Sequence, residues 1–267
     1  MHPFDKAVTL TQQSEHVWQG HTSADYANMI GPFGGITAAQ ALQAVLLHPQ
    51  LLGEPVSLTV NFCTALTDGP FTVTAQPVRT NRSTQHWRID IQQIDGIVLT
   101  ATAVTAVRRD TWSADDILAP QVLSPEKVVQ PDAQGRVEWF NRYEWRFLEG
   151  AIPTVWDAKD HGTSRTQLWV RDSPPRSLDF AALTALSDVF FPRIWRRRAK
   201  FVPIGTVSMT VYFHASAAHL QTTGNGYLLG QAQAQTFHNG YFDQTAQLWN
   251  ESGKLLVTTH QVVYYKE

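Results

Sequence analysis

The stretch Val56-Ser57-Leu58-Thr59-Val60-Asn61-Phe62 occurs again as Val207-Ser208-Met209-Thr210-Val211-Tyr212-Phe213, 151 residues later, with five of the seven residues identical. A second pair of segments, 96–102 and 253–259, matches at an offset of 157 residues. Strand-rich segments share Val and Thr by chance, but two matches in the same order at nearly the same offset indicate an internal duplication. An ordinary α+β domain without duplication is the alternative.

Each half of the chain has the same order of elements, an apolar helix followed by strands. The helix predicted over Ile36–Leu47 is apolar around most of its circumference, which is typical of a buried helix. Its counterpart is predicted over Leu178–Phe191, with Pro192 ending it. The predicted strands are Val8–Gln12, Val17–Thr22, Val56–Leu66, Phe71–Thr80, His86–Ile94 and Ile97–Val107, then Val137–Leu148, Arg165–Arg171, Gly205–His214, Tyr227–Phe237, Tyr241–Trp249 and Leu255–Tyr265.

A buried helix followed by a long antiparallel meander has a definite physical solution. A strongly twisted sheet can curl around a central helix, and two such sheets can join edge to edge, which removes exposed edges. The pattern predicts an α+β fold, a double hotdog, in which each repeat has a central helix wrapped by a curved antiparallel sheet. The predicted domains are residues 1–110 and 136–267, joined by a proline-containing surface linker over 111–135.

Composition excludes several classes of protein. The 267 residues are 43% hydrophobic and 16% charged, enough to bury a sizeable core, and the net charge of −2 argues against a dedicated nucleic-acid binder. The single cysteine, Cys63, excludes an intrachain disulfide and a cysteine-rich zinc site, and we expect it to pack as a small apolar residue. The histidine spacings give no support for a metal site.

The chain contains no run of 18 apolar residues, and its first residues do not have the apolar run of a signal peptide. We therefore expect a soluble cytoplasmic protein without a membrane span. Packing of the sheets offers a route to a homo-oligomer.

The segment Phe33-Gly34-Gly35-Ile36-Thr37-Ala38-Ala39-Gln40-Ala41-Leu42 resembles the Phe-Gly-Gly helix start of the acyl-CoA thioesterase II family. Leu186-Ser187-Asp188, Thr206 and Gln261 fit that family in order and context, so the resemblance covers essentially the whole chain. It implies hydrolysis of an acyl-CoA to the free acid and CoA, by direct attack of a water held by Asp188, Thr206 and Gln261. It further implies a place in fatty acid metabolism and no cofactor, since CoA is part of the substrate.

Asp188 stands out without the family as well. It is placed near the C-terminal end of an apolar helix, where a carboxylate opposes the helix dipole. Apolar neighbours flank it, so we expect desolvation to raise its pKa. An aspartate on an exposed stripe, or one that caps a neighbouring loop, is the alternative. Thr206 and Gln261 are uninformative individually, because both residue types are common on half-buried strands.

Two further groups are candidates for binding the substrate. Gly34 and Gly35 lack side chains, so a thioester carbonyl could approach the free N–H groups at the start of the first helix; a tight strand-to-helix turn also explains the pair. The basic run Arg193, Arg196, Arg197, Arg198 and Lys200 is expected on a loop after the helix of Asp188. Of these, Arg196, Arg197 and Arg198 are the candidates for attracting the CoA phosphates, and a solvated loop is the alternative.

The sequence has no Gly-x-Ser-x-Gly motif, so it lacks the signature of thioester cleavage by an α/β-hydrolase. The alternative function is a hotdog protein that binds acyl thioesters without catalysis or serves as an assembly module.

Overall fold

The computed structural model describes residues 1–131 and 137–267, which form one sheet and a few helices. The helices are α1 (Pro3–Ala7), α2 (Gly34–Leu46), α3 (Phe180–Leu186), α4 (Arg193–Arg198) and α5 (Ala217–Thr223). The strands are β1 (Thr11–Ser14), β2 (Val17–His21), β3 (Glu54–Phe62), β4 (Pro70–Thr80), β5 (Thr84–Gln93), β6 (Gly96–Ala106), β7 (Tyr143–Glu149), β8 (Thr166–Asp172), β9 (Ile204–Phe213), β10 (Leu228–Gln233), β11 (Phe237–His238), β12 (Tyr241–Asn250) and β13 (Leu255–Tyr265).

All of these strands belong to one continuous antiparallel sheet, in the order β1-β2-β4-β5-β6-β3-β9-β13-β12-β10-β8-β7, with β11 beside β12. The strands of the first half therefore occupy one side of the sheet, and those of the second half occupy the other. The two sides join through β3 and β9, so each covers an edge that the other would leave exposed. The fold is the predicted double hotdog.

The two copies of the repeated segment form this junction. Thr59 pairs with Thr210, which is its counterpart in the repeat, and their hydroxyl oxygens lie 3.0 Å apart. The register then runs symmetrically outward, so Leu58 lies opposite Val211 and Val60 lies opposite Met209. A local two-fold relationship therefore passes between the two threonines, and the duplication read from the sequence is confirmed.

The central helices lie inside the sheet and contact one another. Nearly every residue of α2 is buried, as its apolar circumference predicts, and all seven residues of α3 are buried. The ring of Phe180 in α3 meets Phe213 of β9 edge-on, with 5.7 Å between ring centroids. Because the start of α2 faces the end of α3, the residues at both helix ends come within contact distance.

Several predicted elements differ in the structure. The predicted helix Leu178–Phe191 is helical only from Phe180 to Leu186, so Asp188 follows the helix rather than forming part of it. Pro192 precedes a new helix, α4, instead of ending the old one. The predicted strand Val137–Leu148 begins as a 3₁₀ turn, Glu138–Arg142, before β7.

At the N-terminus, the predicted strand Val8–Gln12 begins only at Thr11, because Val8 caps α1. The predicted strand Tyr227–Phe237 is interrupted after Gln233, and no pattern in the sequence predicts α1 or α5. These short helices have too few residues for a clear hydrophobic period.

Residues 119–128, between the two halves, cover the outer side of the second half. Trp169 and Trp249 point away from the central helices and pack with Val128. The indole N–H of Trp169 donates to the carbonyl of Leu123 at 2.8 Å. Residues 132–135 of the predicted linker lie outside the described residues, and the boundaries of the predicted domains stay predictions.

Cys63 corrects one expectation from the sequence. It directly follows β3, and it is exposed rather than packed as a small apolar residue. Among the helices of the described ranges, none is long and apolar enough to cross a membrane.

Candidate active site

Asp188 lies in the turn that follows α3. Its backbone N–H donates to the carbonyl of Ala185 at 3.1 Å, which continues the helical turn past Leu186. The side chain is aimed at the opposite half of the molecule, where the backbone N–H of Gly35 donates to the carboxylate. The carboxylate therefore sits at the N-terminus of α2, the end of a helix that favours negative charge.

Gly34 and Gly35 leave room for this contact. A Cβ atom on Gly34 would lie 2.9 Å from Oδ2 of Asp188, and one on Gly35 would lie 2.6 Å from the carbonyl oxygen of Ala185. Both glycines are helical, so close approach of the two central helices explains the pair, and a turn with unusual backbone angles does not. The role of these residues toward a substrate oxyanion stays a prediction.

The amide of Gln261 holds the other side of the carboxylate. Gln261 is buried on β13, and its Nε2 donates to Oδ1 of Asp188 at 2.8 Å. The same nitrogen lies 3.3 Å from the sulfur of Met209, the residue opposite Gln261 on β9. The sequence had no signal for Met209, which reads there as an ordinary core residue.

Thr206 lies on the same face of the sheet as Gln261. It is half-buried and pairs with Val263, two residues beyond Gln261, across an irregularity in the ladder near Val207. Paired residues of neighbouring strands project to the same side, so Thr206 and Gln261 face the same side. The structure therefore joins Asp188 and Gln261 directly and places Thr206 on the adjoining strand, without a hydrogen bond to either within the described ranges.

Burial raises the pKa of Asp188 to about 7, while the hydrogen bonds from Gln261 and Gly35 act in the opposite direction. The residue keeps some exposed surface, but protein atoms surround its carboxylate densely enough for desolvation to dominate. The rise expected from the apolar neighbours in the sequence is confirmed. A carboxyl group with this pKa can accept and return a proton near neutral pH.

Tyr143 is a neighbour of the site that the sequence did not reveal. It stands near Phe33 and Trp139, with its ring centroid 6.2 Å from each, and Phe33 directly precedes the two glycines. Burial raises the pKa of its phenol well above the ordinary value, and the charge of Asp188 contributes to the rise. Its hydroxyl is buried and has no hydrogen-bond partner within residues 1–131 and 137–267. Tyr143, Phe33 and Trp139 therefore form an aromatic cluster beside the site.

The basic run lies on helix α4 and not on a loop, and its members differ in environment. Arg193 is fully buried, where it donates to the carbonyl of Ser164 and the hydroxyl of Thr166. Burial lowers the pKa of Arg193 to about 9, and the residue cannot face a phosphate in solvent. Its expected place in an exposed basic run is therefore wrong, because its side chain ties α4 to β8.

The other cations of the run remain near the surface. Arg197 is held by the carboxylate of Asp160, at 2.9 Å from Nη2. Arg198 and Lys200 share the single carboxylate of Glu267, at 3.8 and 3.4 Å. Arg196 forms no ion pair with any described residue. Residues 1–131 and 137–267 contain no cluster of three or more His, Cys, Asp or Glu that could hold a metal ion.

The fold and the site together define a double-hotdog protein with a carboxylate held between its two central helices. The family models "Acyl-CoA thioesterase N-terminal domain" and "Acyl-CoA thioesterase C-terminal domain" match residues 23–106 and 120–265. The chain belongs to this acyl-CoA thioesterase family.

Solved structures share the fold. A conserved hot dog fold protein of unknown function from Alicyclobacillus acidocaldarius is 44% identical, with a TM-score of 0.93 over 100% of this chain and 99% of that one. The acyl-CoA thioesterase II TesB2 from Mycobacterium marinum is 15% identical, with a TM-score of 0.77 over 98% and 96%. A tesB protein from Mycobacterium avium subs paratuberculosis is 18% identical, with a TM-score of 0.78 over 99% and 98%. No curated protein matches the chain significantly.

Proposed function

We propose that this protein hydrolyses acyl-CoA thioesters to the free acid and CoA. The observation that carries the proposal is the contact of Asp188 with Gln261 and with the start of α2, which sets a carboxylate of raised pKa at a helix N-terminus. Family membership supports the same reaction class.

In the proposed mechanism, a water molecule bound by Asp188, Thr206 and Gln261 attacks the carbonyl carbon of the thioester. Asp188 accepts one proton of the water as the new carbon–oxygen bond forms. When the tetrahedral intermediate collapses, the carbon–sulfur bond breaks, and that proton passes to the departing sulfur. The products are the carboxylic acid and the free thiol of CoA, and the carboxylate is restored.

The developing oxyanion needs hydrogen-bond donors, and we assign these to the backbone N–H groups of Gly34 and Gly35. Gly34 opens α2, so its N–H has no acceptor within the helix. The N–H of Gly35 donates a hydrogen bond to the carboxylate of Asp188, and this hydrogen bond weakens once the carboxylate takes the proton. The same helix end then serves the carboxylate in the resting site and the oxyanion during attack.

We assign the phosphates of CoA to Arg196, Arg197 and Arg198 on α4. The helix begins five residues after Asp188, so these cations are carried by the segment that leads away from the site. Arg196 is the best placed of them in terms of charge, since it forms no ion pair within the described ranges. A place in fatty acid metabolism, a cytoplasmic location and a homo-oligomer formed through sheet packing stay predictions.

Turnover of a panel of acyl-CoA substrates, followed by release of free thiol, tests the proposal. We expect hydrolysis by the wild type and turnover lower by about 10² or more in Asp188→Asn. Binding of acyl-CoA with no thiol release from any member of the panel would instead support the alternative, a hotdog protein that binds acyl thioesters without catalysis.

A further inference from the structure

Three aromatic residues form a cluster at the surface beside α4. The rings of Trp195 and Phe201 are stacked, with their centroids 5.0 Å apart and their planes at 29°. Trp156 stands nearly perpendicular to both, with its centroid 5.8 Å from each of the other two. We call Trp156, Trp195 and Phe201 the aromatic platform.

The platform is open to solvent. Phe201 is 60% exposed and Trp156 is 42% exposed, while Trp195 is half-buried and packs against the core beneath it. Phe201 uses one ring face on Trp195, so its exposure comes from the other face and the edge. A flat aromatic ligand can therefore stack on Phe201 and meet the ring of Trp156 at its side.

The platform is tied to the candidate active site through the chain. Trp195 and Phe201 both lie on the segment between Asp188 and Thr206, which the proposed mechanism places on the same water. Ile194, the neighbour of Trp195, is buried with Val263, a residue of β13 two positions after Gln261. The platform is thus anchored on the strand that carries the amide of the site.

Positive charge surrounds the platform. Arg196 follows Trp195 directly and forms no ion pair with a described residue. Arg198 and Lys200 both approach the same side-chain carboxylate oxygen of Glu267, at 3.8 and 3.4 Å. Arg197 alone is matched, by Asp160. An anion that reaches the platform therefore meets an excess of cationic side chains.

We infer that the aromatic platform binds the purine base of a phosphorylated nucleotide, the one carried by CoA, and that Arg196 with Arg198 and Lys200 binds its phosphates. The inference deepens the proposed function and rests on it. Aromatic side chains bind bases by stacking, and adjacent cations bind the phosphates by charge. An aromatic surface with a net positive rim fits this combination of a flat ring and phosphates.

The test compares two thioesters of the same acyl group, one on CoA and one on N-acetylcysteamine, which has the thioester but no nucleotide. Trp156→Ala and Phe201→Ala are expected to raise KM for the acyl-CoA about tenfold, with kcat nearly unchanged, because stacking is remote from the reacting atoms. The kinetic constants for the N-acetylcysteamine thioester should not change. Trp156→Phe, which keeps a ring, should restore most of the affinity for the acyl-CoA.

A direct binding measurement keeps the inference independent of catalysis. Calorimetry should show that adenosine 3′,5′-bisphosphate binds the wild-type protein. It should bind Trp156→Ala about tenfold more weakly. The matched control is Trp112→Ala, which removes a tryptophan that is 89% exposed on the segment between the halves. It should bind the bisphosphate like the wild type.

Three results would overturn the inference: equal loss with both thioesters, no loss with either, or bisphosphate affinity unchanged in Trp156→Ala with a normal melt. Binding of the platform to anionic lipid vesicles without binding of the bisphosphate would also overturn it. Failure to hydrolyse either thioester counts against the proposed function instead, and the bisphosphate measurement still decides the inference.

Discussion

At the scale of single residues, the site depends on two opposing effects on Asp188. Burial disfavours the carboxylate, while the amide of Gln261 and the N–H of Gly35 stabilise it, and burial is the larger effect. A carboxylate held in this balance keeps the geometry of an ionised group and the proton affinity of a base near neutral pH.

Asp188→Asn is expected to lower kcat about 10² or more, because it removes the proton acceptor but keeps the size of the side chain. KM and the folded structure should stay close to the wild type, and kinetics with thiol detection measures both constants. Thr206→Val and Gln261→Leu should lower kcat less and add little to Asp188→Asn, since residues of one unit are non-additive. Near-normal turnover by a well-folded Asp188→Asn protein would show the assignment to be wrong.

The raised pKa of Asp188 predicts a pH dependence for both activity and stability. The base must be ionised, so kcat/KM should rise with pH through about 7 and then level off. In the unfolded chain the carboxyl group ionises near its ordinary pKa of 3.8, so between about pH 4 and 7 the unfolded state binds fewer protons and stability falls as pH rises. Asp188→Asn should therefore gain Tm over the wild type at pH 8 relative to pH 4.

A second buried acid provides the control. Burial also raises the pKa of Asp172 to about 7, and this residue lies opposite Tyr143 on the neighbouring strand. Asp172→Asn should change the pH dependence of stability but leave the rise of kcat/KM near pH 7 in place. Loss of that rise in Asp172→Asn, and its survival in the residual activity of Asp188→Asn, would contradict the assignment of the base.

At the scale of elements, the meeting of α2 and α3 shows how far the sequence predicts the site. The apolar pattern predicts both central helices, and the Phe-Gly-Gly segment predicts the start of the first. The predicted second helix extends too far, because Val189, Phe190 and Phe191 continue the apolar pattern after Ser187 and Asp188, and no Gly or Pro marks the end at Leu186. Tyr143 and Met209 could not be found, since their contacts with the site exist only after the sheet closes.

The glycine pair gives a prediction that separates stability from activity. Gly35→Ala places a Cβ 2.6 Å from the backbone carbonyl of Ala185, which cannot move without shifting a helix, so Tm should fall. Gly34→Ala meets mainly the carboxylate of Asp188, a side chain that can turn away. We expect it to keep most of its thermal stability and lose activity, as differential scanning fluorimetry and kinetics would show. The reverse order of effects would mean that the glycines do not set the approach of the helices.

The arginines of α4 should differ in their effect on KM. Arg196→Ala is expected to raise KM for acyl-CoA with little change in kcat, because phosphate binding is remote from the chemistry. Arg197→Ala should have a smaller effect, since Asp160 already neutralises that side chain. The difference should shrink with added salt, because exposed charges are screened within about 8 Å at physiological ionic strength. A KM equal to that of the wild type for both variants at low salt would assign α4 to the solvated surface.

At the scale of the whole molecule, the duplication produces two equivalent positions in the sheet where a site could form. Only one of these two positions has the polar residues of the candidate active site. Thr206 corresponds to Pro55 by the offset that relates Thr59 to Thr210. Gln261 lies opposite Met209, and the counterpart of Met209, Leu58, lies opposite Ala103. The second place therefore has a proline and an alanine where the first has a hydroxyl and an amide, so it cannot hold a water in the same way.

We therefore expect one functional site per chain, and the stoichiometry of binding tests this expectation. Asp188→Asn should bind acyl-CoA and hydrolyse it only slowly. Calorimetry with this variant should give one bound molecule of acyl-CoA per chain, because only one helix junction has the polar residues. Ala103→Ser, on the other side of the two-fold relationship, should leave kcat and KM within about twofold of the wild type, as expected for a conservative change remote from the chemistry. Two molecules per chain, or a loss of turnover in a well-folded Ala103→Ser protein, would show that both halves contribute a site and that the loss of polar residues at Pro55 and Ala103 did not abolish the second.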